Sequence, residues 1–123
     1  MQKEWIENIY GMISYFSDIN TLSNSWYGFD KKNASYFGEE VSLLFDSFSF
    51  DNFIEDLRSK SIRKELLEAI VDFRDHLFSY EEPKSGLALD ILNDPNFLKI
   101  VDKAKLVIDQ WDIGPTETKP NLT

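Results

Sequence analysis

Apolar side chains in this chain recur every three or four residues, a period that admits little besides helices. Trp5, Ile9, Met12, Phe16 and Ile19 share one face of a first helix. Phe37, Val41, Leu44 and Phe48 define a second, with Glu39 and Asp46 nearly opposite. Phe53, Ile54 and Leu57 mark a short third, with Asp51 expected as its cap and Phe50 as the preceding apolar staple. The cleanest stripe is Ile62, Leu66, Ile70, Phe73 and Leu77. Ser61 is its expected cap, and Glu81-Glu82-Pro83 ends it because proline cannot continue the hydrogen-bond ladder. A short element fits 86–92. Asp94-Pro95 then joins a side-chain acceptor to a first-turn proline, a start signal for the last stripe of Phe97, Val101, Ala104, Ile108 and Trp111. Gly114-Pro115 stops that helix. Strand alternation is confined to the stretch from Phe45 to Phe50, which fits a helix–turn–helix equally well. The expected fold class is all-α, an irregular bundle of five or six helices.

A chain of 123 residues has the length of one domain and can bury a real core without staples. A single helical domain is expected over 1–113, followed by a mobile C-terminal tail over 114–123. One stretch, residues 20–34, breaks the helical pattern with small polar residues and Gly28, and is expected to be a loop. A loop of that length in a small domain is commonly functional or disordered, and its aromatic residues weigh against disorder. It carries Trp26, Tyr27 and Phe29, which either fold back as a plug or serve as contact residues.

Little in the chain points to catalysis. There is no cysteine, which excludes disulfides, thiolate metal sites and thiol nucleophiles. The single histidine, His76, has no serine or threonine at a spacing that would make it a general base. Glu65, Glu68, Asp72 and Asp75 step along one helical face, yet neither the paired Glu-x-x-His of di-iron bundles nor a zinc or calcium motif accompanies them. Five glycines form no phosphate-cradling pattern. The chain is therefore expected not to be an enzyme and to hold no cofactor or metal. No apolar run exceeds three residues, as at Leu43-Leu44-Phe45, whereas a transmembrane helix needs about 20. The N-terminal residues lack the apolar stretch of a signal peptide, so a cytoplasmic location is expected.

Charge is the informative feature. Twenty-two acidic against 13 basic side chains give a net charge of −9, which disfavours contact with nucleic-acid phosphates and with anionic membranes. The excess is concentrated. Between Lys32 and Arg58 there is no Lys or Arg, while Glu39, Glu40, Asp46, Asp51, Glu55 and Asp56 all fall there. The fourth helix adds Glu65, Glu68, Asp72 and Asp75, with Arg63, Lys64 and Arg74 toward the edges of its polar face. In the last helix Lys99, Lys103 and Lys105 offset Asp102, Asp109 and Asp112. Like charges three or four residues apart repel by a few tenths of a kcal/mol. Two explanations stand: general solubility, or recognition of a basic partner. A partner would be steered by charge and held by buried anchors, for which an acidic face beside Trp26, Tyr27 and Phe29 supplies both ingredients.

In outline, a small, acidic, cysteine-free, helical chain with candidate aromatic contacts resembles bacterial toxin-immunity proteins of the colicin or contact-dependent growth-inhibition kind. The likeness covers size, charge and helical character over about residues 1–112, and no shared motif carries it. It implies a cognate basic protein toxin, a nuclease domain and an RNase in preference to a DNase, neutralised by an acidic surface. On that reading the partner-binding residues, taken from the charge pattern, are Trp26, Tyr27, Phe29, Glu39, Asp46, Glu55, Asp56, Glu65, Glu68, Asp72 and Asp75. A monomer or weak dimer is expected. The alternative is an acidic chaperone for a secreted effector protein.

Overall fold

A computed structural model describes residues 1–26 and 37–113. The proposed tail, and Tyr27 and Phe29 within the expected loop, lie outside the described residues. Among the described residues there are seven α-helices, one or two more than the stripes predict: α1 (Lys3–Phe16), α2 (Ile19–Trp26), α3 (Phe37–Ser42), α4 (Phe50–Arg58), α5 (Lys64–Ser79), α6 (Ala88–Leu92) and α7 (Pro95–Gln110). A π-helical turn, Leu43–Ser47, continues directly from α3. The described part of the chain is all-α.

The additional helix comes from the first half of the expected loop. Asp18 ends α1's continuation and starts α2: its Oδ1 accepts the Asn20 backbone N–H at 2.9 Å, and its Oδ2 accepts the Thr21 hydroxyl at 3.0 Å. Those bonds to the ionised carboxylate hold Asp18 below its ordinary pKa. Ile19, Leu22 and Trp26 then step by three and four, so this short helix lays Leu22 and Trp26 into the core. Ile19 accordingly belongs to α2 and not to the first helix.

Between α3 and α4 the chain departs from a plain helix. The Phe48 N–H reaches back five residues to the Leu43 carbonyl at 2.9 Å, the wide turn of a π-helix. Leu44 is fully buried, and Phe45 and Phe48 both pack against the core from one side. Ser49 follows in the left-handed region at φ 50°, which reverses the chain into α4. Two expected caps fail. Asp51 makes no cap bond and instead pairs with Arg74, since α4 begins at Phe50. Ser61 sits in the turn before α5, whose first residue is Lys64. The cap of α7 is as expected: the Asp94 side chain accepts the Asn96 N–H at 3.0 Å, with Pro95 in the first turn.

α7 packs against both α1 and α5, and the core runs through all three. Ile9, Ile13, Phe16, Ile70, Phe73, Phe97, Ala104 and Val107 are fully buried. At one end an aromatic cluster joins distant segments. Phe37 meets Phe16, Trp26, Tyr80 and Phe97 at centroid separations of 5.4–6.3 Å, mostly edge to face. Each such pair adds about 0.5–1.5 kcal/mol beyond area burial.

Candidate functional site

Seven of the 22 acidic residues line one continuous band of the surface. Four shallow depressions adjoin there, each sharing residues with the next. The first lies over α3 and the π-helical turn and includes Glu39, Leu43 and Asp46. The second shares Ser42 and Asp46 with it and adds Val41, Phe45, Asp51 and Phe78. The third continues from Asp51 into the groove between α4 and α5, past Glu55, Arg58, Arg74 and Asp75. The fourth shares Arg58, Val71 and Asp75 and reaches Lys64, Glu68 and Asp72. Seven carboxylates, Glu39, Asp46, Asp51, Glu55, Glu68, Asp72 and Asp75, face three bases, Arg58, Lys64 and Arg74, along this band. The local balance is strongly negative.

Within the band most charges are engaged. Glu55 pairs with Arg58 at 3.2 Å and Glu68 with Lys64 at 3.8 Å. Asp72 receives Lys103 Nζ at 2.7 Å from α7, and His76 Nδ1, an ion-pair partner only when the ring is protonated, lies 3.2 Å away. These exposed pairs contribute at most about 1 kcal/mol each and exchange readily with water or an incoming charge. Glu39 and Asp46 have no ion-pair partner among the described residues. Of the other expected acids, Asp56 pairs with Lys60 at 3.8 Å and Glu65 is exposed, but neither lines the band.

Arg74 is the most extensively hydrogen-bonded charge on this side. Its Nε and Nη2 donate to the two oxygens of Asp51 at 2.8 and 3.0 Å, and its Nη1 donates to Asp75 at 3.2 Å. The fork geometry is the strong form of this interaction and holds the guanidinium further above its ordinary pKa. The same guanidinium carbon lies 4.5 Å from the Phe78 ring centroid and 5.5 Å from that of Phe45. Phe78 is 66% exposed, the most exposed of the large apolar side chains among the described residues.

Of the three expected aromatic contacts, the one among the described residues, Trp26, needs correcting. Trp26 is 1% exposed, with its ring against Phe37 and Phe97 and its Nε1 donating to Glu40 Oε1 at 2.9 Å. It is a core plug and presents no surface to a partner. Glu40 is half-buried and also accepts the Tyr15 hydroxyl at 2.5 Å. Burial pushes the Glu40 carboxyl up, and burial together with the Glu40 contact pushes the Tyr15 phenol up to about 12. This Tyr15–Glu40–Trp26 cluster fastens α1, α2 and α3 to one another.

Sequence reasoning missed Phe78, Phe45, Asp51 and Arg74 as one cluster. One signal was available: Phe78 follows Leu77 directly, so it falls off the α5 stripe and onto the charged side of that helix. Elsewhere, His76, Ser79, Tyr80, Asn96 and Lys99 line a further depression between α5 and α7. Among the described residues no three His, Asp or Glu side chains converge as a metal site requires, and no helix is long and apolar enough to cross a membrane. No family model matches this chain, and no curated protein or solved structure is significantly similar to it.

Proposed function

We propose that this chain is an immunity protein that binds a cognate basic protein toxin through the acidic band and so neutralises it. The observation that carries this reading is the continuity of the band: seven carboxylates on α3, the π-helical turn, α4 and α5 line adjoining depressions, with an exposed phenylalanine among them. A basic surface approaching it is steered by long-range attraction, and desolvated aromatic contact then slows its departure. The toxin is a nuclease domain, an RNase in preference to a DNase, because a protein that grips phosphates must present the cationic surface this band complements. Neutralisation takes place in the cytoplasm, where such a toxin meets its substrate. The chain acts by binding and not by catalysis, as a monomer or weak dimer, with no direct role for nucleic acid or membrane.

The experiment is co-expression with the C-terminal domain encoded by the adjacent upstream reading frame. Cells making both proteins are expected to survive where cells making the toxin domain alone do not. Death despite abundant soluble immunity protein sinks the pairing.

A further inference from the structure

We propose that the depression between the π-helical turn and Phe78 receives an arginine side chain of the basic partner, an inference that rests on reading the acidic band as the docking surface. Val41, Phe45 and Phe78 give this depression apolar walls, while Asp46 and Asp51 supply its carboxylates. Those two acids are not equivalent. Both oxygens of Asp51 are occupied by Arg74, whereas Asp46 has no ion-pair partner among the described residues. Among the described residues one carboxylate is thus left for an incoming cation.

The aromatic wall selects which cation. Phe78 is supported on one side by the Arg74 guanidinium and meets Phe45 edge-on at 5.8 Å and 60°. Most of its remaining surface faces solvent. A planar, weakly hydrated guanidinium stacks on such a ring while its methylene stem lies against Val41 and Phe45; a compact, strongly hydrated ammonium gains less from both contacts. Asp51 and Asp75 flank the Arg74 charge and offset its repulsion of the newcomer. The salt bridge also fixes the floor beneath Phe78 before any partner arrives, which lowers the ordering cost of binding.

Two neighbouring features fit a recognition role. The π-helical turn places Phe45 and Asp46 in this depression, and Ser49 holds a left-handed conformation two residues beyond the turn. Wide turns and strained residues of this kind concentrate at working surfaces.

The test needs no toxin. Backbone and side-chain NMR of the intact chain is followed during titration with the blocked peptide Ac-Gly-Arg-Gly-NH2, and separately with Ac-Gly-Lys-Gly-NH2. Saturable shifts are expected at Val41, Phe45, Asp46 and Phe78, with a dissociation constant on the order of millimolar. The lysine peptide should bind about two- to five-fold more weakly, as should the arginine peptide to Phe78→Leu, reflecting the lost cation–aromatic attraction. Asp46→Asn should weaken the arginine peptide as well; both replaced side chains are exposed, so the thermal midpoint should hold. Shifts spread evenly over all exposed carboxylates, or undiminished affinity in both variants, overturn the site. That failure leaves the neutralising role to its own co-expression test, and failed co-expression leaves peptide binding at Phe78 to be judged on its own.

Discussion

Replacing Trp26 with phenylalanine isolates one hydrogen bond at the junction of α1, α2 and α3. The ring stays apolar and aromatic, so most of the packing against Phe37 and Phe97 is retained, but the Nε1 donor to Glu40 disappears. A hydrogen bond to a charged acceptor contributes about 1.5–3 kcal/mol to stability. Glu40 is only half-buried and keeps the Tyr15 hydroxyl, so the lower half of that range applies, about 1.5–2 kcal/mol. The smaller ring adds a cavity cost of about 1 kcal/mol. Trp26→Ala removes the whole plug and should cost about 3–5 kcal/mol. A double-mutant cycle of Trp26→Phe with Glu40→Ala separates bond from cavity, with an expected coupling of about 1–2 kcal/mol. The assay is urea unfolding followed by circular dichroism at 222 nm, which does not depend on the indole. Coupling within about 0.5 kcal/mol of zero would refute the bond's contribution. Near-zero cost for Trp26→Ala would refute the core placement and return the ring to the surface.

Glu40 also sets a pH dependence. Its folded-state pKa is raised by burial, so the folded chain binds a proton more readily than the unfolded chain does. The resulting contribution to stability is fully present below the ordinary value of 4.5 and is lost as pH rises through the raised one. Denaturation series across mildly acidic pH should therefore show wild type gaining on Glu40→Ala as pH falls; parallel curves contradict the burial. Asp94 caps α7 and accepts the Tyr80 hydroxyl at 2.6 Å, so Asp94→Ala should cost about 2–3 kcal/mol in urea unfolding, against about 1 for a cap alone. The same substitution should lower the alkaline titration of Tyr80 seen by ultraviolet difference absorbance, since Asp94 is one of the groups that raise it.

The stripes of α5 and α7 were legible because each repeats over four turns, and Asp94-Pro95 fixed a start with two independent signals. α2 was obscured because five of its eight residues, Asn20, Thr21, Ser23, Asn24 and Ser25, are polar. Its signals, Asp18 as cap and Ile19, Leu22 and Trp26 in step, lay among asparagines and serines that read as loop. The π-helical turn was illegible in principle: one extra residue shifts the period locally, and no residue type announces it. Six of the expected acids, Glu39, Asp46, Glu55, Glu68, Asp72 and Asp75, share one band because adjacent helices expose the same side. Trp26 was misplaced because ring count says nothing about burial. Trp26 found the half-buried carboxylate of Glu40 at the edge of the core, while Phe78 was left outside by its position one residue past Leu77.

The most direct test of the acidic band as a docking surface is the rate of association with the toxin domain, measured by stopped flow over a salt series. One variant reverses Glu39, Asp46, Glu55 and Glu68 to lysine; a control of equal charge change reverses Glu4, Glu7, Asp102 and Asp109, exposed acids that do not line the band. Steering by a complementary patch raises association about 10- to 1,000-fold at low salt. The account predicts at least a tenfold slower rate and a flattened salt dependence for the band variant, with the control within a few-fold of wild type. Equal slowing in both variants would contradict it, because the attraction would then belong to net charge and not to this surface.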